Sequence, residues 1–424
     1  MSWETSYLNF KNRAALDSVK ANEERQKSFE RFVAEGLPTR RDEAWKFTSL
    51  TGFKEIDWKS HEDDEMHLTH EQMQEVSKNL PSDFINFVFV NGILNNTLSD
   101  DADGLIEITE LEESDFSTAT ENVEERLLNL AQAFLQKKIN LKVLKHRQID
   151  KPVQVVFVQS SKNSVYLSEK LNVHLEENSE LKLLVHSMSF INSTADAINL
   201  NVNVQVDKSA RLTFVQLQDE DAGSYHFSQV QISLQASAWV QSLALSLGNR
   251  LVRNYLHLRF NEENAEAEVY GLGVLDEQQH LDNYTFIEHA VGHNQSVQHY
   301  KSILSGAAHS VFRGRVRIAQ DAQKANSEQL NNNLLLTRQA QADSIPQLEI
   351  YADDVKAGHG STVGQLNKEE IFYFLSRGIN QFQAVKMLSF GFAKELVYKV
   401  KNETLQNYLL NSLNKKLERM VQNG

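Results

Sequence analysis

The sequence predicts a mainly β chain built as a solenoid, with helical regions at its two ends. Apolar and polar residues alternate with a period of two over roughly 200 residues from Val153 onward, which indicates an extended all-β region. A short motif recurs at near-constant spacing inside that stretch. Helical periodicity is confined to what precedes and follows it.

The first region, residues 1–140, reads as mainly helical. Ala14 to Glu35 is rich in Glu, Lys, Arg, Gln and Ala and stops at Gly36 and Pro38. Thr39 to Phe47 follows as Thr-Arg-Arg-Asp-Glu-Ala-Trp-Lys-Phe. Phe84 to Val90 has the composition of a short buried strand before an Asn91-Gly92 turn. Glu121 to Lys137 predicts a further helix, with Val123, Leu127, Leu130, Ala131 and Phe134 on one face.

In the core, residues 141–366, the alternation is carried by Val153, Val155 and Phe157, then by Ile198, Leu200, Val202, Val204 and Val206. It continues at Val230, Ile232 and Leu234, and at Leu256, Leu258 and Phe260. Val311, Arg313 and Arg315 fall on one face of a strand, with Phe312, Gly314, Val316 and Ile318 on the other. The recurring motif starts at Ser179, Ala210, Ala238 and Ala265, so its successive offsets are 31, 28 and 27 residues. Turn residues precede it, as in Glu177-Asn178 and Asp207-Lys208. This spacing suits stacked coils, each burying its inner face on its neighbours, better than a β-sandwich.

The last region, residues 367–424, returns to helix. Asn367-Lys368-Glu369-Glu370 resembles a capping box, and the helix it starts ends near Gly378. A second helix is expected from Gln381 to Lys399. A third, from Glu403, places Leu405, Tyr408, Leu409, Leu413, Leu417, Met420 and Val421 near one face. Most of that stripe is expected to pack on neighbouring structure, and an exposed part would suit a partner.

Composition narrows function. The chain has 43 Lys and Arg against 57 Asp and Glu, a net charge of −14, and this argues against a nucleic-acid binder. It has no cysteine, which excludes disulfides, a thiolate nucleophile and any cysteine-ligated metal supplied by this chain. The start MSWETSYLNF lacks the basic and apolar segments of a signal peptide, and no long apolar run predicts a membrane span, so a cytoplasmic protein is expected.

Few residues are arranged for chemistry. His359 stands between Gly358 and Gly360, just after Asp353 and Asp354. An imidazole there is a candidate ligand for iron or zinc, although a lone histidine beside glycines is more commonly an ordinary loop or core residue. His289 and His293 are four apart, with His280 and His299 nearby, but without the order of a zinc-protease motif, and polar positions on solenoid coils explain them better. His61, His67 and His70 lie in an acidic run that reads as solvated surface. Gly271-Leu272-Gly273 and the glycines from Gly358 to Gly364 complete neither a dinucleotide fingerprint nor a phosphate loop, so no bound nucleotide is expected. Arg313, Arg315 and Arg317 read as a solvated strand face with acidic neighbours.

The stretch from Ala325 to Ile379 is the most specific in the chain. It contains Ser327-Glu328-Gln329, Asn333-Leu334-Leu335-Leu336, Pro346-Gln347-Leu348-Glu349-Ile350, Ala352-Asp353-Asp354-Val355-Lys356, His359-Gly360-Ser361-Thr362-Val363-Gly364, Phe372-Tyr373 and Ser376-Arg377-Gly378-Ile379. With Arg41-Asp42-Glu43-Ala44-Trp45-Lys46-Phe47-Thr48, it resembles the SufB/SufD family of iron–sulfur cluster assembly scaffolds, and SufD more than SufB. The resemblance implies a right-handed parallel β-helix between helical ends. It implies a non-catalytic subunit of the Suf complex, pairing with SufB through the β-helix end and with the ATPase SufC through the C-terminal helices. It assigns to His359 a ligand role toward a transient iron–sulfur cluster at the SufB interface. Many relatives carry a cysteine two residues before this histidine. Ala357 stands there in this chain, so sulfur ligands would come from SufB. Flavin on the complex and a homodimer in isolation are left open. On the residues alone, a β-helix polysaccharide lyase or hydrolase and a purely structural interaction protein are the alternatives.

Overall fold

The computed structural model describes residues 3–13, 18–59, 68–101, 104–109, 125–191 and 195–422. The helices are α1 (Trp3–Arg13), α2 (Val19–Glu35), α3 (Thr51–Glu55), α4 (His70–Ser77), α5 (Glu125–Phe134), α6 (Lys368–Leu375), α7 (Gln381–Val397) and α8 (Glu403–Gln422). The strands, in chain order, are β1 (Ile85–Val90), β2 (Ile93–Leu94), β3 (Ile106–Thr109), β4 (Lys138–Val143), β5 (Val153–Ser161), β6 (Tyr166–Leu175), β7 (Glu180–Ile191), β8 (Ala197–Val206), β9 (Arg211–Asp219), β10 (Tyr225–Leu234), β11 (Trp239–Ser246), β12 (Leu251–Phe260), β13 (Glu266–Leu275), β14 (His280–His289), β15 (Gln295–Leu304), β16 (His309–Ile318), β17 (Asn326–Leu335), β18 (Gln341–Ile350) and β19 (Lys356–Gln365).

Successive strands of the core go to opposite sheets, and each pairs in parallel with the strand one coil later. One sheet runs β5, β7, β9, β11, β13, β15, β17, β19, and the facing sheet runs β6, β8, β10, β12, β14, β16, β18. This is the expected parallel β-solenoid.

The recurring motif has a physical cause at the corner that leads into the first sheet. Asn178, Ser209, Ser237, Asn264, His293 and Lys324 each precede a strand of that sheet by two residues, and all have φ between 56° and 63°. The left-handed conformation turns the chain sharply, and asparagine tolerates it best among residues with a side chain. The residue after most of these is small and buried, namely Ser179, Ala210, Ala238, Ala265 and Ala325, because the corner of the coil above leaves no room for more. His293 is therefore one corner of the repeat.

Inside the coils the alternation buries one face of each sheet. Val155, Leu183, Leu212, Phe214, Val202, Leu256, Phe260 and Ile287 meet in one continuous core. The outer faces are covered as well. Against the first sheet, α7 and α8 bring Leu396, Val397, Leu405, Leu409, Leu413, Leu417 and Met420 onto Leu243, Leu245, Leu272, Val274 and Ile303. Against the second, Tyr7, Phe29, Phe32, Trp45, Phe53, Trp58, Leu127, Leu130 and Phe134 pack on Tyr166, Tyr225 and Phe227. Burying a large side chain of this kind contributes about 1.5–3 kcal/mol.

Several element boundaries differ from the sequence expectation. Helix α2 begins at Val19, capped by the Ser18 hydroxyl, which accepts from Ala21 N; residues 14–17 lie outside the described residues. Helix α5 ends at Phe134 rather than Lys137, because the chain turns there into β4; residues 121–124 are outside the described residues. Asn367 does cap α6, but through Glu369 N at 2.9 Å rather than through a full reciprocal box; such a box forms at Thr69 and Gln72, at the start of α4. The strand expected from Phe84 is β1, and it extends the first sheet by pairing with β5.

Candidate functional site at the open end of the solenoid

His359 lies on β19, the last strand of the first sheet, and β18 is the last strand of the facing sheet. Neither has a further strand beside it. Their outward backbone groups form two open edges, a template for pairing with another chain. Pro346 sits in β18, as suits an edge strand, since it cannot donate to a ladder.

The register puts His359 on a specific column. Val153, Leu183, Phe214, Ser242, Val269, Gln298, Gln329 and His359 are successive partners across the first sheet. The first members of that column lie in the core, so the column faces inward. It begins apolar and ends polar. Ser296, Gln298 and Ser302 occupy inner positions of β15, and Ser327, Gln329, Asn331 and Asn333 those of β17; all are buried. Thr285 reaches across to Gln298 (2.7 Å) and Ser302 to Ser310 (2.9 Å), while Ser296 donates to Ser327 on the next coil of the same sheet (2.9 Å). The last coil has nothing above it, so His359, Ser361 and Val363 are exposed. The solenoid thus ends in an open mouth with a polar floor and one imidazole on the rim.

The flanks of His359 are fixed by its corner. Lys324 pairs with Asp354, whose backbone N–H also donates to Gln323 Oε1 (2.9 Å), while Asp353 faces solvent. The two aspartates therefore serve the turn before β19. Ala357 is half-buried against the core. Among the described residues, no group of three or more His, Asp or Glu side chains converges to hold a metal. His359 can supply one ligand, and complete coordination of iron would need donors from elsewhere.

The other histidines have structural roles. His289 is fully buried inside the solenoid, its Nε2 2.9 Å from Ser296 Oγ and its ring stacked on Phe260 at 4.5 Å. Burial pushes its pKa down to about 4. The His289–His293 spacing falls on a strand and a corner, so the two do not share a helix face. His299 Nε2 is 2.7 Å from Asn332 Oδ1 on the outer face. His70 starts α4 and contacts Gln74, whereas His61 and His67 lie outside the described residues.

His280 belongs to a buried contact between the N-terminal segment and the second sheet. Trp45 is 1% exposed, and the Arg253 guanidinium lies 4.4 Å from the centre of its ring. Arg253 pairs with Asp282, which also accepts from Thr48 Oγ1, and Thr48 Oγ1 is 2.9 Å from His280 Nε2. The Arg-Asp-Glu-Ala-Trp-Lys-Phe-Thr motif is thus a latch. Arg313 is part of it and is a correction to the sequence reading. It is buried rather than solvated, donating to the Glu43 carbonyl at 2.9 Å, because the N-terminal segment covers that face. Arg315 does find an acidic neighbour, a two-pronged pair with Glu349 at 2.8 and 3.0 Å.

Of the glycines in the two runs, Gly271 and Gly273 have a packing explanation, whereas a Cβ on Gly358 or Gly364 would meet open space. A Cβ on Gly271 would sit 2.1 Å from the Tyr300 ring, so this glycine makes room for an interior aromatic. Gln329 stands in the Ser327-Glu328-Gln329 run, but nothing in a single strand shows that its amide lies under an open end.

On the C-terminal side, α6 packs little. Phe372 is 70% exposed, and Tyr373 and Leu375 are exposed with it. Met387 on α7 is exposed as well. No described helix is long and apolar enough to cross a membrane.

Residues 157–392 match the family model for the SUF system FeS cluster assembly SufBD core domain. The chain is 29% identical over 406 residues to the iron-sulfur cluster assembly protein SufD of Escherichia coli (strain K12), covering 95% of this chain and 94% of that protein. It is 26% identical over 412 residues to an iron-sulfur cluster assembly SufBD family protein of Synechocystis sp., covering 93% and 90%. A Mycobacterium leprae family member is 36% identical over 208 residues, covering 47% of this chain and 53% of that one. A parallel solenoid with helical ends, matched to that core model over more than half its length, belongs to the SufB/SufD family of iron–sulfur cluster assembly proteins and is most like SufD.

Proposed function

We propose that this chain is a non-catalytic scaffold subunit of a cytoplasmic Suf complex, on which a nascent iron–sulfur cluster is held as cargo. The open strand edges of the mouth pair with SufB, and the exposed apolar face of α6 and α7 receives the SufC ATPase. ATP hydrolysis in SufC moves the helices, and this chain transmits that motion to the mouth. The observation that carries the reading is the position of His359. It is exposed on the terminal strand, on the inward column, where a second solenoid docked edge to edge would face it.

The chemistry of the rim fits a shared site. The imidazole contributes one nitrogen ligand, and the chain has no cysteine, so thiolates come from SufB. Relatives named for cluster assembly give no support to the polysaccharide lyase or hydrolase reading.

The test is anaerobic co-expression with SufB and SufC, followed by iron, sulfide and flavin assays on the purified complex. A three-component complex is expected. His359→Ala should leave its composition unchanged and lower the iron and sulfide retained by about tenfold or more. Recovery of this chain alone from the co-expression would overturn the scaffold reading, and unchanged cluster yield in His359→Ala would overturn the ligand role.

A further inference from the structure

Directly beneath His359 on the inward column lies Gln329, its backbone partner in β17. Gln329 is 2% exposed, yet neither its Oε1 nor its Nε2 has a hydrogen-bond partner. A buried amide without partners is left desolvated with nothing to replace the lost water. The surroundings are built to keep it there. Its tip crosses the interior to the facing sheet, where it meets Gly314 of β16. A Cβ on Gly314 would stand 2.0 Å from Gln329 Nε2, so any larger residue would expel the amide. One coil below, Gln298 occupies the same column, and its Oε1 does find a donor, Thr285 Oγ1 at 2.7 Å, although its Nε2 is unpaired. The position of Thr285 in β14 corresponds to Gly314 in β16. At the last covered coil, the partner across the interior has thus been replaced by a space that admits the amide, and the amide is left unpaired below the rim.

We propose that Gln329 is a positioning residue for His359: its Oε1 accepts the N–H of the imidazole when the ring turns inward over the mouth. Residues paired across a ladder are roughly 4.8 Å apart, so an exposed ring on β19 needs only a side-chain rotation to reach an amide on the same face of β17. The bond fixes one tautomer and leaves the other ring nitrogen directed out of the mouth. Ligating histidines commonly hold their second N–H this way, which orients the ring and raises the basicity of the free nitrogen. The inference rests on the ligand role proposed for His359. Gly314 is the second part of the device, since it is the seat of the amide.

The experiment uses the full chain, labelled with 15N-histidine, at neutral pH. The His359 resonances are assigned by their loss in His359→Ala. The wild-type ring is expected as a single neutral tautomer. Gln329→Leu, which keeps the volume but removes the acceptor, should give mixed tautomers, and Gly314→Ala should do the same by displacing the amide. Thermal unfolding midpoints establish that the variants are folded, and the leucine variant stands alone if the alanine variant is not. In the complex with the partner subunit, reconstituted with ferrous iron and sulfide, Gln329→Leu should retain about tenfold less iron with assembly unchanged. A wild-type ring already mixed in tautomer, or a Gln329→Leu variant with wild-type tautomer and iron content, overturns the inference. If His359→Ala itself retains its cluster, the ligand role fails instead, and the tautomer measurement still decides whether Gln329 orients the ring.

Discussion

Tyr408 shows how much of this fold hangs on single polar atoms. Its hydroxyl donates to the Asn79 carbonyl at 3.1 Å, accepts from Gln154 Nε2 at 3.2 Å and lies 3.0 Å from His186 Nδ1. One oxygen thus joins a C-terminal helix, an N-terminal loop and two solenoid strands. Burial raises the phenol's pKa well above the usual range, so it stays a hydroxyl. Removing it in Tyr408→Phe leaves the ring's packing on Phe84 in place but strips the partner from the buried His186 Nδ1, while Gln154 Nε2 keeps its bond to the Asn79 carbonyl at 3.1 Å. The expected cost is about 1–3 kcal/mol, read as a lower urea midpoint at unchanged slope. A midpoint equal to wild type would mean that water replaces the hydroxyl without loss. The sequence placed Tyr408 on an apolar stripe, which was true of its position but silent about its oxygen. A helical period identifies the face a residue shares and not the polar groups that face it from elements hundreds of residues away.

At the scale of elements, legibility followed the range of the interactions. The alternation and the corners are local, so the strands and their 27- to 31-residue recurrence are readable from the order of the residues alone. The coverage of the sheets is not local. Arg313, Arg315 and Arg317 alternate as a solvated face would, and only the docking of Trp45 and Glu43 buries the first of them. The polarity of the last coils was visible as the run Asn331-Asn332-Asn333, but its meaning depends on β19 being terminal. That terminal position has a consequence for association. Val363 on β19 is 53% exposed, and Ile350 on β18 and Leu330 on β17 are exposed beside the same end. An open, apolar edge favours pairing with a second copy when no other partner is present, and a charge on the edge opposes it. Sedimentation of the isolated chain should therefore show concentration-dependent dimerisation that Val363→Lys weakens by tenfold or more, about 1.4 kcal/mol. The thermal midpoint should stay within a degree or two, since the side chain is exposed. Equal dimerisation by both proteins would place the self-contact elsewhere.

Across the whole molecule, burial of titratable groups predicts an optimum of stability near pH 6.5. His186, His280 and His289 are each held near pKa 4 by burial, the first at the C-terminal helix contact, the second at the N-terminal latch and the third inside the solenoid. A depressed histidine is neutral in the folded state, and the unfolded chain takes up its proton near pH 6.5. Its stabilising share is complete above that pH and is lost as pH falls toward 4, at up to roughly 1.4 kcal/mol per pH unit for each group. Glu169 works in the opposite direction. Burial on an inner position of β6 raises its carboxyl to about 8, so it stays protonated when folded and ionises on unfolding from about 4.5 upward. Its share is present below that range and is lost as pH rises toward 8. Burial likewise raises Asp219, which offsets part of the acid loss. Between pH 6.5 and 4.5 the histidines outnumber the opposing carboxyls, and stability falls on acidification. Between 6.5 and 8 the histidines no longer change protonation, Glu169 loses its share, and stability falls on alkalinisation. Urea midpoints across pH 4.5 to 8 should trace both limbs. Glu169→Gln keeps the shape of the side chain and removes its ionisation, so it should flatten the alkaline limb and steepen the acid limb, which the carboxyl opposes from about 4.5 upward. An alkaline limb that survives this substitution would show that the carboxyl is not the group being titrated.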